Sequence, residues 1–190
     1  MIEINELTPS PIVHLSPWII PSELASLANL ETNWGSKKMQ DGSYLFTFLA
    51  PKQEAVTAAI QTYSAEYLAK QKRAKLEEIA EKRRSIELHG PQGTLLDDST
   101  TLRLTAATVG FMINPNLGTI QWELSRGNFT ELTDTDIFNL SKLSVTHVQA
   151  CFDRVYELTQ EVNAIQLSGE ESIDQALAEL NAIDISVGWP

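Results

Sequence analysis

Short apolar pieces separated by prolines characterise residues 1–50, and this pattern predicts a small β-rich module. Within it, residues 44–49 read as a β-strand that is opened by the turn signal Asp41-Gly42-Ser43. Residues 22–30 are predicted to form a short helix capped by Ser22 or, as the alternative, an adaptable loop. A module of this size has only a small core, so we expect it to depend on the rest of the chain for its stability.

A long helix is predicted for the segment 51–86, because residues 52–86 contain no glycine or proline. Apolar residues recur at helical spacing in its first half, at Val56, Ile60, Tyr63 and Tyr67. Residues 70–75, by contrast, have almost no apolar side chain to bury. A helix that is polar on all sides usually crosses solvent between two bodies. We therefore interpret this helix as a strut between the N-terminal module and the rest of the chain.

A shorter helix with clear ends is predicted over residues 99–113. Either Asp97 or Asp98 is placed to cap it, because a carboxylate before the first turn can accept the unpaired backbone N–H groups there. The helix ends before Pro115, because proline cannot continue a helix and biases the preceding residue toward extended geometry.

A β-hairpin is predicted directly after this helix. Residues 119–124 and 128–132 alternate or nearly alternate in polarity, and Gly127 between them can supply a positive φ angle. An isolated two-stranded hairpin is only marginally stable in water. We therefore expect the face that carries Trp122 to pack on a neighbouring helix.

A second long helix is predicted over residues 133–166, with Thr133 or Asp134 as its cap. It completes a helix–hairpin–helix assembly domain over residues 87–166. Residues 167–190 add a short amphipathic helix and an apolar tail, which we expect to dock on another part of the protein. The predicted fold class is α+β, with a small β-rich N-terminal module, a long linking helix, and a mainly α-helical C-terminal domain that contains the hairpin.

Six apolar residues of the second long helix are spaced alternately by three and four positions, which is the heptad pattern of a coiled coil. These heptad residues are Val148, Cys151, Val155, Leu158, Val162 and Ile165. We expect them to bring copies of the chain together. The alternative is an intramolecular helical hairpin, with the helix over residues 51–86 as the partner, since three heptads are at the lower limit of a useful coiled-coil signal.

A second apolar stripe lies on another face of the same helix. This outer stripe consists of Phe138, Val145, Phe152 and Tyr156. We expect it to receive the hairpin and the helix over residues 99–113, which would leave the heptad residues free for a partner.

Composition and charge restrict the classes of function. An apolar fraction of 43% and a charged fraction of 21% are typical of a folded globular protein. The net charge of −11 argues against binding to nucleic acid or to an anionic membrane surface. No apolar run approaches the roughly 18–20 residues that a membrane span needs. Half of the basic residues lie between Lys70 and Arg84, interleaved with glutamates, and this pattern indicates a solvated helix face.

Groups that could carry chemistry are few and scattered. The three histidines fall in different segments, at His14, His89 and His147, and the chain lacks the spacings that signal metal, nucleotide or nucleophile sites. Cys151 occupies an apolar helix position, where a small buried hydrophobe is the usual role. The pair Asp97-Asp98 is better explained by helix capping than by catalysis. We therefore predict no catalytic residue, no metal site and no cofactor, and a protein that is not an enzyme.

Several short motifs occur in a fixed order between residues 83 and 165. They are Arg83-Arg84, Asp98-Ser99, Asn114-Pro115, Ile120-Gln121-Trp122, Gly127-Asn128-Phe129-Thr130-Glu131-Leu132, His147-Val148-Gln149-Ala150-Cys151-Phe152-Asp153 and Glu157-Leu158. In this combination the segment resembles a domain of unassigned function that is common at the C-terminal ends of tail-fibre and tail-fibre-assembly proteins of tailed bacteriophages.

The resemblance implies a phage tail context, with the tail-fibre protein as partner. The small size and the lack of internal repeats favour a tail-fibre assembly chaperone, which acts in the host cytoplasm during virion assembly. The alternative is a structural component of the tail or tail fibre that stays in the virion. In the chaperone hypothesis, the N-terminal module protects the distal part of the fibre, and three copies assemble to match its threefold symmetry. The candidate fibre-binding residues are Trp18, Ile20, Trp34, Tyr44, Phe46 and Phe48.

Overall fold

A computed structural model describes most of the chain, and it shows two compact units. The described residues are 11–15, 17, 19–30, 34–48, 52–91, 94–125, 127–167 and 173–190. Trp18 and Arg126 lie outside them, as does the last residue of the strand predicted over residues 44–49. Unit 1 extends to Lys70 and unit 2 begins at Gln71, so the division falls within a long helix.

Ten elements follow one another within the described ranges, and their balance makes the fold α+β, as predicted. They are β1 (Ile12–Leu15), α1 (Pro21–Leu27), β2 (Trp34–Lys38), β3 (Tyr44–Phe48), α2 (Gln53–Leu88), α3 (Asp98–Ile113), β4 (Ile120–Ser125), β5 (Asn128–Leu132), α4 (Asp134–Ala164) and α5 (Ile173–Ala182). None of the helices in the described ranges has the length and apolar character that crossing a membrane would require.

Unit 1 is built on a three-stranded antiparallel sheet with β3 between β1 and β2. The turn from β2 to β3 is closed by Asp41, whose carboxylate accepts hydrogen bonds from the backbone N–H of Ser43 at 3.0 Å and from its hydroxyl at 2.5 Å. Gly42 has a φ of +87°, a conformation that glycine adopts without strain. The predicted turn is thereby confirmed.

The short helix α1 is present, but it begins at a proline and not at the predicted cap. Ile20 is the N-cap residue and makes no side-chain cap, and Pro21 occupies the first turn. Proline is favoured there because its fixed φ suits a helix and its missing N–H would have no helical partner in any case. The assignment of Ser22 as the cap was therefore wrong.

The core of unit 1 lies where β3, α1 and the first turns of α2 meet. Its most deeply buried side chains include Leu24 of α1, Phe46 of β3 and Val56 of α2, none of them more than 1% exposed. Trp34 of β2 stacks on Phe46, with ring centres 5.6 Å apart. A sheet of three short strands has an apolar face that must be covered. The first turns of α2 supply part of that cover, which is why unit 1 continues past the β-strands.

Within unit 2, both long helical segments after α2 start at side-chain caps that the sequence predicted. The carboxylate of Asp97 accepts a hydrogen bond from the backbone N–H of Thr100 at 2.6 Å, and this bond lowers the pKa of Asp97. Thr133 and Asp136 form a capping box at the start of α4, in which each side chain accepts from the other residue's backbone N–H. Local hydrogen bonds therefore determine where α3 and α4 begin.

The hairpin β4–β5 packs on two helices through Trp122. Gly127 in its turn has a φ of +78°, and its N–H donates to the Glu123 carboxylate at 2.7 Å. Trp122 is 6% exposed. It belongs to a core cluster with Leu104 and Phe111 of α3 and with Ile137 and Leu140 of α4. The prediction that the Trp122 face packs on a helix is confirmed.

The part of α2 that belongs to unit 2 runs antiparallel to α4. Contacts between them include those of Lys72 with Ile165 at the C-terminal end of α4, Arg83 with Phe152, and Ile86 with His147. The Nζ of Lys72 donates to the main-chain oxygen of Ile165 at 2.5 Å. A cation is favourable there because the last carbonyl groups of a helix carry a partial negative charge. Unit 2 therefore contains the intramolecular helical hairpin, which was the alternative interpretation of the heptad pattern.

The C-terminal tail docks on α4 through one arginine. The Nε of Arg154 donates to the main-chain oxygen of Val187 at 3.3 Å, and its guanidinium also pairs with Glu157 at 3.0 Å. The indole N–H of Trp189 donates to the main-chain oxygen of Ile185 at 3.0 Å. The expectation that the tail docks is confirmed.

Candidate functional site

The heptad residues of α4 lie largely inside unit 2. Four of the six are buried, with exposures of 0% for Cys151, Leu158 and Val162 and 8% for Ile165, while Val148 and Val155 are half-buried. Since these side chains are already covered by their own chain, they belong to the intramolecular core. The four buried side chains are therefore not accessible to a second chain, contrary to what the heptad pattern predicted for them.

The outer stripe of α4 is exposed, and it does not receive the hairpin and α3 as predicted. Its four members have exposures of 39% for Phe138, 70% for Val145, 48% for Phe152 and 66% for Tyr156. The hairpin and α3 pack instead on Ile137 and Leu140. The two apolar faces of α4 thus have roles opposite to those expected, and the free apolar face is the outer stripe.

A groove of about 480 Å³ runs between α3 and α4, and Val145 and Phe152 of the outer stripe lie in one of its walls. Its lining residues are Leu96, Thr101, Leu104, Thr105, Thr108, Val109, Ser141, Ser144, Val145, Val148, Gln149 and Phe152. At one point the walls are joined by a hydrogen bond of 2.8 Å between the hydroxyl groups of Thr108 and Ser141.

The chemistry of the α3–α4 groove is that of a binding surface. All twelve lining residues are apolar or neutral polar, so none can exchange a proton with a ligand near neutral pH. Ser144 is 7% exposed, and its hydroxyl has no hydrogen-bond partner among the described residues. A buried hydroxyl without a partner is unfavourable. The groove therefore offers apolar contact and one unused hydrogen-bonding group.

His147 and Cys151 carry the most reactive side chains of α4, but their contacts are those of residues that pack helices together. The Nε2 of His147 lies 3.1 Å from the main-chain oxygen of Ile86, and since that oxygen can only accept, Nε2 carries the proton. The sulfur of Cys151 lies 3.9 Å from the same nitrogen. Burial raises the pKa of the Cys151 thiol, and the nearby Glu87 raises it further. Both residues therefore pack the helices together.

A thiol-reactive reagent should modify Cys151 slowly in the native protein. A buried thiol with a raised pKa is mostly uncharged and reaches the reagent only when the helix opens locally, so labelling should be more than about tenfold slower than in denaturant. Labelling can be followed by the absorbance of the released chromophore. Gln160→Cys places an exposed thiol on the same helix and is the fast-reacting control. Equal rates for the two thiols would contradict this assignment.

The six residues expected to bind a fibre are divided between the core and the surface of unit 1. Phe46 and Phe48 are 0% and 2% exposed and hold the unit together, so they are not available to a partner. Trp34 and Tyr44 are half-buried, Ile20 is 48% exposed, and Trp18 lies outside the described residues. Aromatic side chains in a small module serve its core first, because few other residues can fill it.

A hollow of about 440 Å³ lies beside α1 in unit 1. Its lining residues are Ser22, Ala25, Ser26, Asn29, Leu30 and Trp34. Trp34 is the one candidate fibre-binding residue in this lining. Across the described ranges of the whole chain, no three side chains of His, Cys, Asp or Glu are arranged to hold a metal ion.

The sequence analysis did not predict the small side chains that line the α3–α4 groove, such as Ser144. A signal for this surface is the lack of charge in two helical stretches. Residues 99–113 contain Arg103 as their one charged residue, and residues 137–152 contain Lys142. Solvated helix faces usually carry many charges, so two neighbouring helices with so few indicate a surface made for contact.

The fold and the groove define unit 2 as a mainly helical domain with an uncharged surface groove. Residues 70–185 match the family described as a domain of unknown function (DUF4376). The match covers more than half of the 190 residues, and the chain therefore belongs to this family. The matched segment coincides closely with unit 2, which spans residues 71–190. No curated protein and no solved structure matches the chain.

Proposed function

We propose that this protein is a non-enzymatic assembly protein, and that it acts as a chaperone for the distal part of a phage tail fibre. The observation that carries the assembly function is the α3–α4 groove, which is apolar, open to solvent and free of ionisable lining residues. An apolar groove between two helices can bind the apolar face of a segment of another protein.

The tail fibre as client is supported by the ordered motifs between residues 83 and 165 and by their resemblance to phage tail proteins. Unit 1 supplies the fibre-facing surface in this proposal, with Trp34 in the hollow beside α1 and Ile20 exposed near it in sequence. Fibre tips expose strand edges and apolar patches until they trimerise, and a chaperone that covers them prevents aggregation. The protein then leaves, or remains as a tail component.

Co-expression of the cognate tail fibre with and without this protein tests the proposal. We expect several-fold more soluble, trimeric fibre when the protein is present, measured by sedimentation and by resistance of the trimer to detergent. Ile20→Asp is a useful variant because it removes an exposed apolar side chain while aspartate is a favourable N-cap for α1. An equal yield of trimeric fibre with and without the protein would refute the chaperone function.

Mass spectrometry of purified virions separates the chaperone from the structural alternative. A chaperone that acts during assembly should be absent from virions or present far below the copy number of the fibre. A stoichiometric amount would instead identify a structural component of the tail.

A further inference from the structure

The α3–α4 groove has a floor of small side chains and large apolar side chains beside it. The floor includes hydroxyl residues that leave room for an incoming side chain: Thr101, Thr105, Thr108, Ser141 and Ser144. On α3, Leu102 and Met112 lie seven residues before and three residues after Val109, which places them on the same face as that wall residue. They are 70% and 68% exposed. The same helices therefore supply both depressions and protruding side chains.

Charge restricts which protein that occupant can be. The chain carries −11 overall, so two copies repel each other across most of their surfaces. Residues 99–113 of α3 and 137–152 of α4 are the exception, because their charged residues are Arg103 and Lys142 alone. A partner docked in the uncharged groove must itself be uncharged at the contact, since buried unpaired charges are costly. The exposed faces of α3 and α4 of a second copy meet that condition.

The amount of apolar surface is also sufficient for a pair of copies. Six large side chains on these two helices are between 46% and 79% exposed: Leu102, Val109, Met112, Ile113, Val145 and Tyr156. Together with Phe152 they form a surface of several hundred Å², on the order of the roughly 800 Å² that each partner contributes to a stable interface. In a symmetric pair each contact is made twice, so modest complementarity suffices.

We propose that the α3–α4 groove is the docking site for a second copy of this chain, whose exposed apolar side chains on α3 and α4 fill it. This inference rests on the proposed assembly function and names one of its partners. It replaces the heptad residues as the self-association surface. The predicted trimer and a dimer both use this site, and the measured mass decides between them.

Sedimentation equilibrium of the full chain over a range of concentrations tests this proposal. The wild type should show two or three times the monomer mass of 21.1 kDa. Val145→Glu places a charge on a side chain that is 70% exposed in the single chain, so it should leave the fold intact while weakening association at least tenfold. Asn139→Glu, on another exposed face of α4, should associate as the wild type does.

Each outcome supports or overturns the proposal. A wild type that remains monomeric at every concentration overturns it, and so does association that Val145→Glu leaves unchanged. If Val145→Glu loses helical circular dichroism, Val109→Glu on the opposite wall is measured in its place. Normal association combined with no effect on fibre yield would refute the chaperone function alone. A monomer that still rescues the fibre would refute this inference alone.

Discussion

Replacing Leu158 with aspartate should unfold unit 2. Leu158 is 0% exposed within the helical pair of α2 and α4, so the substitution removes a packed side chain and buries a carboxylate without a partner. Loss of the packing alone costs about 2–5 kcal/mol, and the buried charge adds to it. Because whole domains are stable by only about 5–15 kcal/mol, most of the helix content of unit 2 should be lost. Urea denaturation followed by far-UV circular dichroism measures the effect.

The matched control for Leu158→Asp is Gln160→Asp. Gln160 lies two residues further along α4 and is exposed, so the same new charge should change the free energy of unfolding by no more than about 0.5 kcal/mol. If Leu158→Asp keeps its helix content and loses only self-association, the heptad residues face another chain, and the intramolecular packing of α2 on α4 is refuted.

Replacing Trp122 with alanine should destabilise unit 2 by about 3–5 kcal/mol, which is typical for the loss of a large buried aromatic side chain. Trp122 is 6% exposed and connects the hairpin with Leu104 of α3 and Ile137 of α4. Its removal leaves a cavity that the short hairpin cannot fill by moving, because the backbone pairing of β4 with β5 holds its strands in register. The midpoint of urea denaturation should fall accordingly.

Phe129→Ala is the control for this second prediction. Phe129 lies on β5 of the same hairpin and is 60% exposed, so its loss should change stability by less than about 1 kcal/mol. A similar loss for both variants would mean that the hairpin packs through both of its faces, contrary to the structure.

Signals that act over a few residues made much of the fold predictable. Asp97 and Thr133 cap helices because their side chains reach backbone N–H groups within one turn. Gly127 marks the hairpin turn because it can adopt a positive φ. The length of α2 followed from the lack of helix-breaking residues. In each case the cause and its effect lie close together in the sequence, so a pattern could reveal them.

The residues of the candidate site were much less predictable. The pattern of α4 showed two apolar faces, but it did not show which neighbour covers which face. Both Phe46 and Trp34 looked like binding residues, although the first is a core residue of unit 1 and only the second lines a hollow. Periodicity and aromatic content reveal that a side chain can be buried, and they are the same whether its own chain or a partner buries it.

The sequence by itself determined the long helices, the hairpin, the caps of α3 and α4 and the α+β class, because these follow from local hydrogen bonding and backbone preferences. Only the tertiary structure decided that the heptad residues turn inward and the outer stripe turns outward. That choice depends on α2 lying beside α4, through contacts such as Ile86 with His147, which are 61 positions apart. Contacts at that separation leave no trace in a local pattern, and they determine which apolar face of α4 stays free to bind.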